Sequence, residues 1–416
     1  MNAVKPFNIS KRAIVEAYKR VKANKGAAGV DDESIADFEM NLKANLYKIW
    51  NRMSSGSYIP LAVRTVEIPK KDGKKRKLGI PTVTDRIAQM VAKLYLEPMI
   101  DPRFHSDSFG YRPHKSALDA VASCRQRCWK YNWVIDLDIK GFFDNIDHAL
   151  LLRAVKKHTN CKWLLLYIER WLTAPIEAAD GQVQVRTKGT PQGGVISPLL
   201  ANLFLHYTFD KWMEKNFSKN PFERYADDGV VHCKTLKEAE SLKSMLEERF
   251  AECKLELHPE KTKIVYCKDD NRRSSFSAEQ FDFLGYTFQP RLAKSKAGKY
   301  FVSFSPAISK KAAQAIRQTM RDWKLQLKCN RTIKEISEWI NPVVRGWINY
   351  YGRFWKTALN SIFDRLNVRL MKWAKWKYKK LKGRSRRAMN WIGKIAKENP
   401  RLFAHWELGI RPATEQ

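Results

Sequence analysis

PheGluArgTyrAlaAspAspGlyValValHisCys, residues 222–233, reads as a short hairpin whose two apolar arms flank a pair of adjacent aspartates, Asp227 and Asp228. Two carboxylates side by side at a turn repel each other, and folding gains nothing from them. A turn alone is satisfied by one Asp followed by Gly. A divalent cation resolves the repulsion, because Mg²⁺ is a hard ion that takes carboxylate oxygens and keeps positions open for phosphate. Such a site wants a third carboxylate from another strand. TrpValIleAspLeuAspIle (133–139) alternates as a strand, with Trp133, Ile135, Leu137 and Ile139 on one face and Asp136 and Asp138 on the other. Asp138 is the best third ligand and Asp136 the runner-up. Two ions about 3.5–4 Å apart would then activate a hydroxyl and stabilise a leaving pyrophosphate.

Outward from this pair, strands and helices alternate without a fixed period. ValArgThrValGluIlePro (63–69) and LysArgLysLeuGlyIlePro (75–81) flank Asp72-Gly73 and read as a hairpin. Its tip and second arm carry Lys70, Lys71, Lys74, Lys75, Arg76 and Lys77 with only Asp72 for company, a group suited to phosphate as well as to a solubilising edge. Residues 10–55 read as helical: Ile14, Ala17, Tyr18 and Val21 share a face, a Gly-rich break runs from Asn24 to Gly29, and Asp31 or Asp32 caps a second helix to about Met53. Helical pattern fills 84–130 apart from a loop at Pro102 to Pro113, then 147–173, 197–215 and 235–252, with further strands at 255–266 and 281–288. The mixture, with antiparallel pairing, indicates an α+β fold.

Composition narrows the partner. The 416 residues hold 77 Lys and Arg against 43 Asp and Glu, a formal charge of +34 that attracts polyanions, nucleic acid first among them. A hydrophobic content of 44% excludes a disordered chain. No apolar run approaches the roughly 18–20 residues that span a bilayer, and MetAsnAlaValLysPro at the start is no signal peptide. Seven Cys without paired spacing fit reduced cytosolic thiols better than zinc or disulfides; Cys124 and Cys128, four apart, fit one helix face. From Pro306 onward 26 Lys and Arg face 7 Asp and Glu, so this quarter carries +19 together with 8 of the 14 Trp. Ala312, Ala315, Ile316, Met320, Trp323 and Leu327 lie at helical spacing, as do Ile336 to Phe354 around Pro342, which either kinks that stretch or starts a new helix. Most of these aromatics belong to a core, and the cations from Lys372 to Arg387, Lys379, Lys380, Arg386 and Arg387 among them, form a face for a nucleic-acid backbone.

TyrAlaAspAsp resembles the catalytic box of reverse transcriptases, and AspIleLysGlyPhePheAspAsnIleAspHis (138–148) resembles the motif before it, with Asp138 matching the first metal ligand. GlyThrProGlnGlyGlyValIleSerProLeuLeuAlaAsnLeuPheLeu (189–205) is similar to the group II intron form of the next block, from which retron and diversity-generating enzymes usually depart. LeuHisProGluLysThrLys (257–263), PheLeuGlyTyr (283–286), AsnLysGlyAlaAlaGlyValAsp (24–31) and ArgGlyTrpIleAsnTyrTyr (345–351) resemble the last palm blocks, the N-terminal extension and the thumb or maturase region. The resemblance, to bacterial group II intron-encoded reverse transcriptase/maturases, covers about nine-tenths of the chain.

The resemblance implies a right-hand polymerase, with an extension at 1–55, fingers at 56–130, a palm at 131–305 and a helical thumb/maturase region at 306–416. It implies an RNA-directed DNA polymerase that uses two Mg²⁺, or Mn²⁺ in their place, to extend a DNA or RNA primer with dNTPs on an RNA template. Cognate intron RNA and target DNA are the further partners, and the bacterial cytosol the expected place. Phe143 falls where the family sets a ring beneath the incoming sugar, against the alternative of a core Phe, which suits Phe142. Gln192, Lys70 and Arg76 fall at nucleotide-contacting positions. Lys261 is either a general acid toward pyrophosphate or a solvated lysine, and Arg86 and Arg112 are expected to contact template phosphate. The sequence ends at Gln416 and has no CysXaaXaaCys pairs, so the resemblance implies the endonuclease-lacking class as the expectation. Three other readings compete: a splicing-only RNA-binding maturase, an RNA-dependent RNA polymerase, and a domesticated enzyme of repair or defence. Intact Asp138, Asp227 and Asp228 speak against the first, and Phe143 against the second.

Overall fold

Ser10 starts the first helix, Lys11–Ala23, its hydroxyl accepting the Arg12 N–H at 3.2 Å, and Ile14, Ala17, Tyr18 and Val21 bury the expected stripe. The computed structural model describes residues 5–69, 75–178, 180–295 and 297–412. Within them the second helical stretch differs from expectation. It begins at Ile35, with Ser34 as cap in a reciprocal capping box with Asp37, and a further helix runs Leu42–Ser55. Asp32 cannot cap because its φ is +54°, whereas a cap residue is extended; its carboxylate instead accepts from Arg64 at 2.8 Å.

Contacts divide the chain into two units, Met1–Ala120 with Val134–Ile264, and Val121–Trp133 with Val265–Gln416. In the first, β1 (Val63–Pro69) and β2 (Lys75–Ile80) form the expected antiparallel hairpin, Thr65 opposite Gly79 and Glu67 opposite Lys77. Lys70 lies outside the described residues, and Arg76 is described by its backbone alone, opposite Ile68. After β3 (Trp133–Leu137), two short strands, β4 (Ile176–Glu177) and β5 (Val183–Gln184), extend the hairpin into a sheet of order β2-β1-β4-β5. The second sheet has the order β6-β7-β3-β8, from β6 (Phe222–Tyr225), β7 (Asp228–Cys233) and β8 (Lys263–Tyr266). The strand expected at 255–266 shrinks to β8, with Leu257 making only an isolated bridge to Ile139. The stretch 147–173 is two helices, His148–Lys156 and Lys162–Thr173. That at 197–215 is Ser197–Leu205 and Lys211–Asn216 joined by a π-helical turn, His206–Asp210.

In the second unit, β9 (Phe281–Phe283), β10 (Tyr286–Lys294) and β11 (Tyr300–Ile308) make a three-stranded sheet. The strand expected at 281–288 is thus broken where Leu284 and Gly285 both take positive φ. The segment Val121–Trp133 is tied into this unit: Trp129 donates to the Phe304 carbonyl at 3.0 Å, and Arg272 to the carbonyls of Tyr131 and Cys128 at 2.5 and 2.9 Å. Helices Lys310–Asp322, Ile333–Tyr351, Asn360–Lys377 and Ser385–Glu398 follow, the second continuing through Pro342 rather than restarting there. Ile316, Met320, Ile340, Phe363, Leu370 and Trp373 are among their buried core.

Two buried asparagines pin the end of the chain to these helices. Asn341 donates to the Leu402 carbonyl at 2.9 Å and accepts the Ala404 N–H at 3.0 Å; Asn367 accepts from His405 Nε2 at 2.8 Å and from Trp406 at 2.9 Å. Burial pushes the His405 imidazole down to about 3. The unfolded chain therefore binds a proton near its usual value of about 6.5, while the folded one stays neutral. Stability from this group is complete above that pH and falls as the pH drops toward 3, by up to about 1.4 kcal/mol per pH unit. His405→Gln removes the titration, so its urea midpoint, followed by tryptophan fluorescence from pH 7 to 4.5, should fall less than that of the wild type. Equal slopes would remove His405 as the source.

Candidate active site

Tyr225 pairs with Asp228, so Ala226 and Asp227 form the two-residue turn between β6 and β7, and Ala226 takes a φ of +57°. An alanine in that left-handed region costs about 1–2 kcal/mol, so the surroundings must hold it. Arg224, one residue before the TyrAlaAspAsp box, does so from inside. Its side chain is 2% exposed, and its Nε and Nη2 each donate at 2.7 Å to the two oxygens of Asp210, which is fully buried. Nη1 donates to the Asn202 amide oxygen at 2.9 Å and to the Ala226 carbonyl at 3.0 Å, while Nη2 also reaches Ser108 Oγ at 2.8 Å. Burial pushes the Asp210 carboxyl up, but the Arg224 guanidinium outweighs it and holds the group below its ordinary value.

The other side of the turn is walled by backbone. Arg224 N–H donates to the Asp107 carbonyl at 2.9 Å and its carbonyl accepts from Phe109 at 2.8 Å, which lays 107–110 alongside β6. Gly110 touches the turn itself: a Cβ there would stand 2.3 Å from the Ala226 nitrogen. Asn202 closes the ring by donating to the Gly110 carbonyl at 2.6 Å.

On this support the three carboxylates converge. Asp228 is pushed up to about 6, by burial first and then by Asp227 and Asp138. The residue keeps solvent-accessible surface, so its carboxyl is crowded by protein atoms in a cleft that water still enters. Asp138 thus lies near enough to act on Asp228. The backbone carbonyl of Asp138 accepts from His258 at 2.7 Å, and Lys261, from the same loop, sets its ammonium 3.2 Å from Asp138 Oδ2. Carboxylates that crowd Asp228 in this way suit a hard divalent ion, which would relieve the repulsion.

Phe143 is buried, and its carbonyl accepts from Thr190 at 2.8 Å, fastening the 189–205 motif beside it. Phe142 is buried too, its ring centre 5.3 Å from that of Phe143, so burial does not separate a core role from a contact role. The Gln192 carbonyl accepts from Gly79 on β2 at 2.8 Å, and a Cβ on Gly193 would stand 2.2 Å from the Gly79 oxygen. Glycine at 193 is what lets the basic hairpin and the GlnGlyGly loop touch.

The chain matches the family Reverse transcriptase (RNA-dependent DNA polymerase) over residues 68–288, more than half of its length. It belongs to the reverse transcriptase family. Residues 313–391 match a second family, Group II intron, maturase-specific domain. Protein YkfC of Escherichia coli strain K12 is 32% identical over 300 residues, which cover 62% of this chain and 77% of YkfC. Group II intron-encoded protein LtrA of Lactococcus lactis is 34% identical over 218 residues, 52% of this chain and 35% of LtrA, so the alignment spans about a third of that longer protein. The chain is an RNA-directed DNA polymerase of the group II intron-encoded kind.

Two of the expected nucleic-acid contacts of this reverse transcriptase turn inward. Arg86 is buried and spends its donors on the carbonyls of Ala27, at 2.6 Å, and Thr82, at 3.4 Å. Arg112 donates to Asp101 Oδ1 and to the carbonyls of His105, Ser108 and Asp101 at 2.8 to 2.9 Å. Both stitch loops together, and these bonds engage donors that a template phosphate would otherwise take. Lys379, Lys380, Arg386 and Arg387 are exposed, as a binding face requires. Arg224, Asp210 and Asn202 escaped the sequence reading. The available signal was ionisable residues set among apolar ones in two stretches, PheGluArgTyr and LeuPheLeuHisTyrThrPheAsp. Arg224→Lys keeps one charge but loses the paired grip on Asp210 and the bond to Ala226. The variant should lose about 3–5 kcal/mol of stability and at least tenfold in single-turnover extension rate at temperatures where it remains folded. A folded variant with the wild-type rate would show that the turn holds itself.

Proposed function

We propose that this reverse transcriptase extends a DNA or RNA primer with deoxynucleotides on an RNA template, and that it binds group II intron RNA to promote splicing and retrohoming into target DNA. The observation that carries the first half is the convergence of Asp138, Asp227 and Asp228 on one cleft, in a chain of this family. The three would hold two Mg²⁺ ions, or Mn²⁺, which when bound supply the charge that lowers the pKa of a primer 3′-hydroxyl and stabilises departing pyrophosphate. Arg224 and Gly110 keep Asp227 and Asp228 oriented toward Asp138, and Lys261 offers a proton beside it. Phe143 excludes a 2′-hydroxyl, Gln192 meets the nucleotide, and Lys70 and Arg76 meet its triphosphate. In hand terms, 1–55 is the extension, 56–130 the fingers, 131–305 the palm and 306–416 the thumb/maturase region.

The second half is supported by the charge of the C-terminal helices. Arg317 and Arg321 on one helix and Arg365, Arg369 and Lys372 on another line a cavity of about 310 Å³ that holds no acidic residue in its wall. Burial first, then Arg321 and Arg365, pushes the Arg369 guanidinium down. Like charges gathered in this way are stable against a polyanion, whose phosphates position the RNA while loop shape supplies specificity.

Three measurements separate the parts. Asp227→Ala should abolish Mg²⁺-dependent primer extension yet still promote splicing of a cognate intron at physiological Mg²⁺; loss of both activities in a folded variant would sink the division of labour. Phe143→Ala should admit ribonucleotides, and unchanged discrimination would move the gate to Phe142. Arg365→Gln with Arg369→Gln should lower the log-log salt slope of RNA binding by about 1.5–2, one phosphate contact per arginine. An unaltered slope would turn that face away from RNA.

A further inference from the structure

Arg186, just beyond β5, carries a guanidinium that the protein encloses and whose Nη1 it leaves without a hydrogen bond. The residue keeps 8% of its surface, and its Nη1, out of reach of water, meets no hydrogen-bond partner among the described residues. It lines a cavity of about 240 Å³ between the β2-β1-β4-β5 sheet and the 189–192 loop, together with Glu67, Lys77, Asp144, Lys188 and Gln192. An arginine offers five N–H donors in a planar fork and no acceptor. Burying such a charge without oxygens around it costs several kcal/mol, because water is removed and nothing replaces it. Burial lowers the guanidinium to about 10, with Asp144 acting against the shift, so the group is cationic throughout the neutral range. Lys188 is already engaged, its ammonium donating to the Asn145 amide oxygen at 2.9 Å.

The cavity also has the right neighbours. Asp144 follows Phe143 directly, and Gln192 belongs to the loop fastened to that turn. Its volume falls below the roughly 300–1,000 Å³ of pockets that enclose a whole small molecule. A single charged group of a larger ligand, with its waters, fits it better. Both substrates of a polymerase are phosphate esters, and a guanidinium fork matches phosphate oxygens in pairs.

We propose that Arg186 is a phosphate-binding residue, its buried guanidinium receiving the oxygens of a phosphate carried either by the incoming nucleotide or by the nucleic-acid strand. The choice of phosphate rests on the polymerase reading above; the buried cation with its free Nη1 does not. The test uses the full-length protein and the variants Arg186→Gln and Arg186→Lys. Two constants are measured: KM for deoxynucleotide in primer extension, and Kd for a labelled primed RNA template by anisotropy in EDTA, which needs no catalysis. The second constant keeps its meaning even if extension fails, so failure of the polymerase reading stays distinguishable from failure of this one.

Arg186→Gln should raise one of the two constants at least tenfold, and Arg186→Lys should recover part of the loss. A raised KM with unchanged Kd assigns the nucleotide phosphates. A raised Kd, with a salt slope smaller by about one, assigns the strand. Without ligand the Gln variant should unfold no earlier than the wild type, since a buried charge whose Nη1 meets no partner has gone. Both constants within twofold of the wild type, whatever the melting temperature, overturn the proposal. Should Arg186→Gln fail to fold, Asp144→Asn decides: removing the carboxylate that competes for Arg186 should tighten the affected ligand severalfold, and no tightening overturns the proposal as well.

Discussion

The buried pairing of Arg224 with Asp210 is the constraint on which the reactive end of the first unit depends. Adjacent aspartates on a two-residue turn are pushed apart by their own charge, and the turn needs a left-handed alanine at position 226. Neither strain is relieved within the hairpin. It is met by a guanidinium whose bonds reach Asp210, Asn202, Ser108 and the Ala226 carbonyl, so that one side chain ties β6, two helical turns and the 107–110 segment to the turn. A buried ion pair adds little net stability over apolar residues of the same shape, but it is costly to break by halves. Its value here is directional, since it fixes where two neighbouring carboxylates point.

Much of this was legible in order along the chain. The hairpin at 222–233, the strand bearing Asp138 and the basic hairpin at 63–80 were all read from alternation and turn residues, and each formed where expected. What escaped depends on partners distant in sequence. Arg224 and Asp210 stand fourteen positions apart, and a π-helical turn, which no helical period announces, sets the aspartate's direction. Arg86 and Arg112 read as surface cations because sequence shows charge and not the carbonyls waiting for it. The strands β4 and β5, two residues each, are too short to carry any alternation. Asp31 and Asp32 looked like caps by residue type, and backbone conformation moved the role to Ser34.

The electrostatics of the chain work at two ranges. A formal charge of +34 draws any polyanion from a distance and is weakened by salt. Within that field, in the cleft between β3 and the β6–β7 turn, burial first and then Asp227 and Asp138 push Asp228 up to about 6. A nucleic acid attracted to the whole would be repelled at that one place unless cations intervene. Lys261, its ammonium 3.2 Å from Asp138 Oδ2, softens the same repulsion.

The route of the chain through its two units also sets an order of events during synthesis. Residues Val121–Trp133 belong to the second unit, yet they leave the ribosome before nearly all of the residues that complete it. Trp129 finds its carbonyl partner only at Phe304, and Arg272 comes back for Cys128 and Tyr131. At a translation speed of about 5–20 residues per second, the roughly 170 residues between Trp133 and Phe304 take on the order of 10–30 s to appear. Throughout that interval the bond from Trp129 to Phe304 cannot form. Val121, Cys124 and Cys128 are buried in the finished fold, and the rate of elongation through 134–304 sets how long the segment waits for its last bonds.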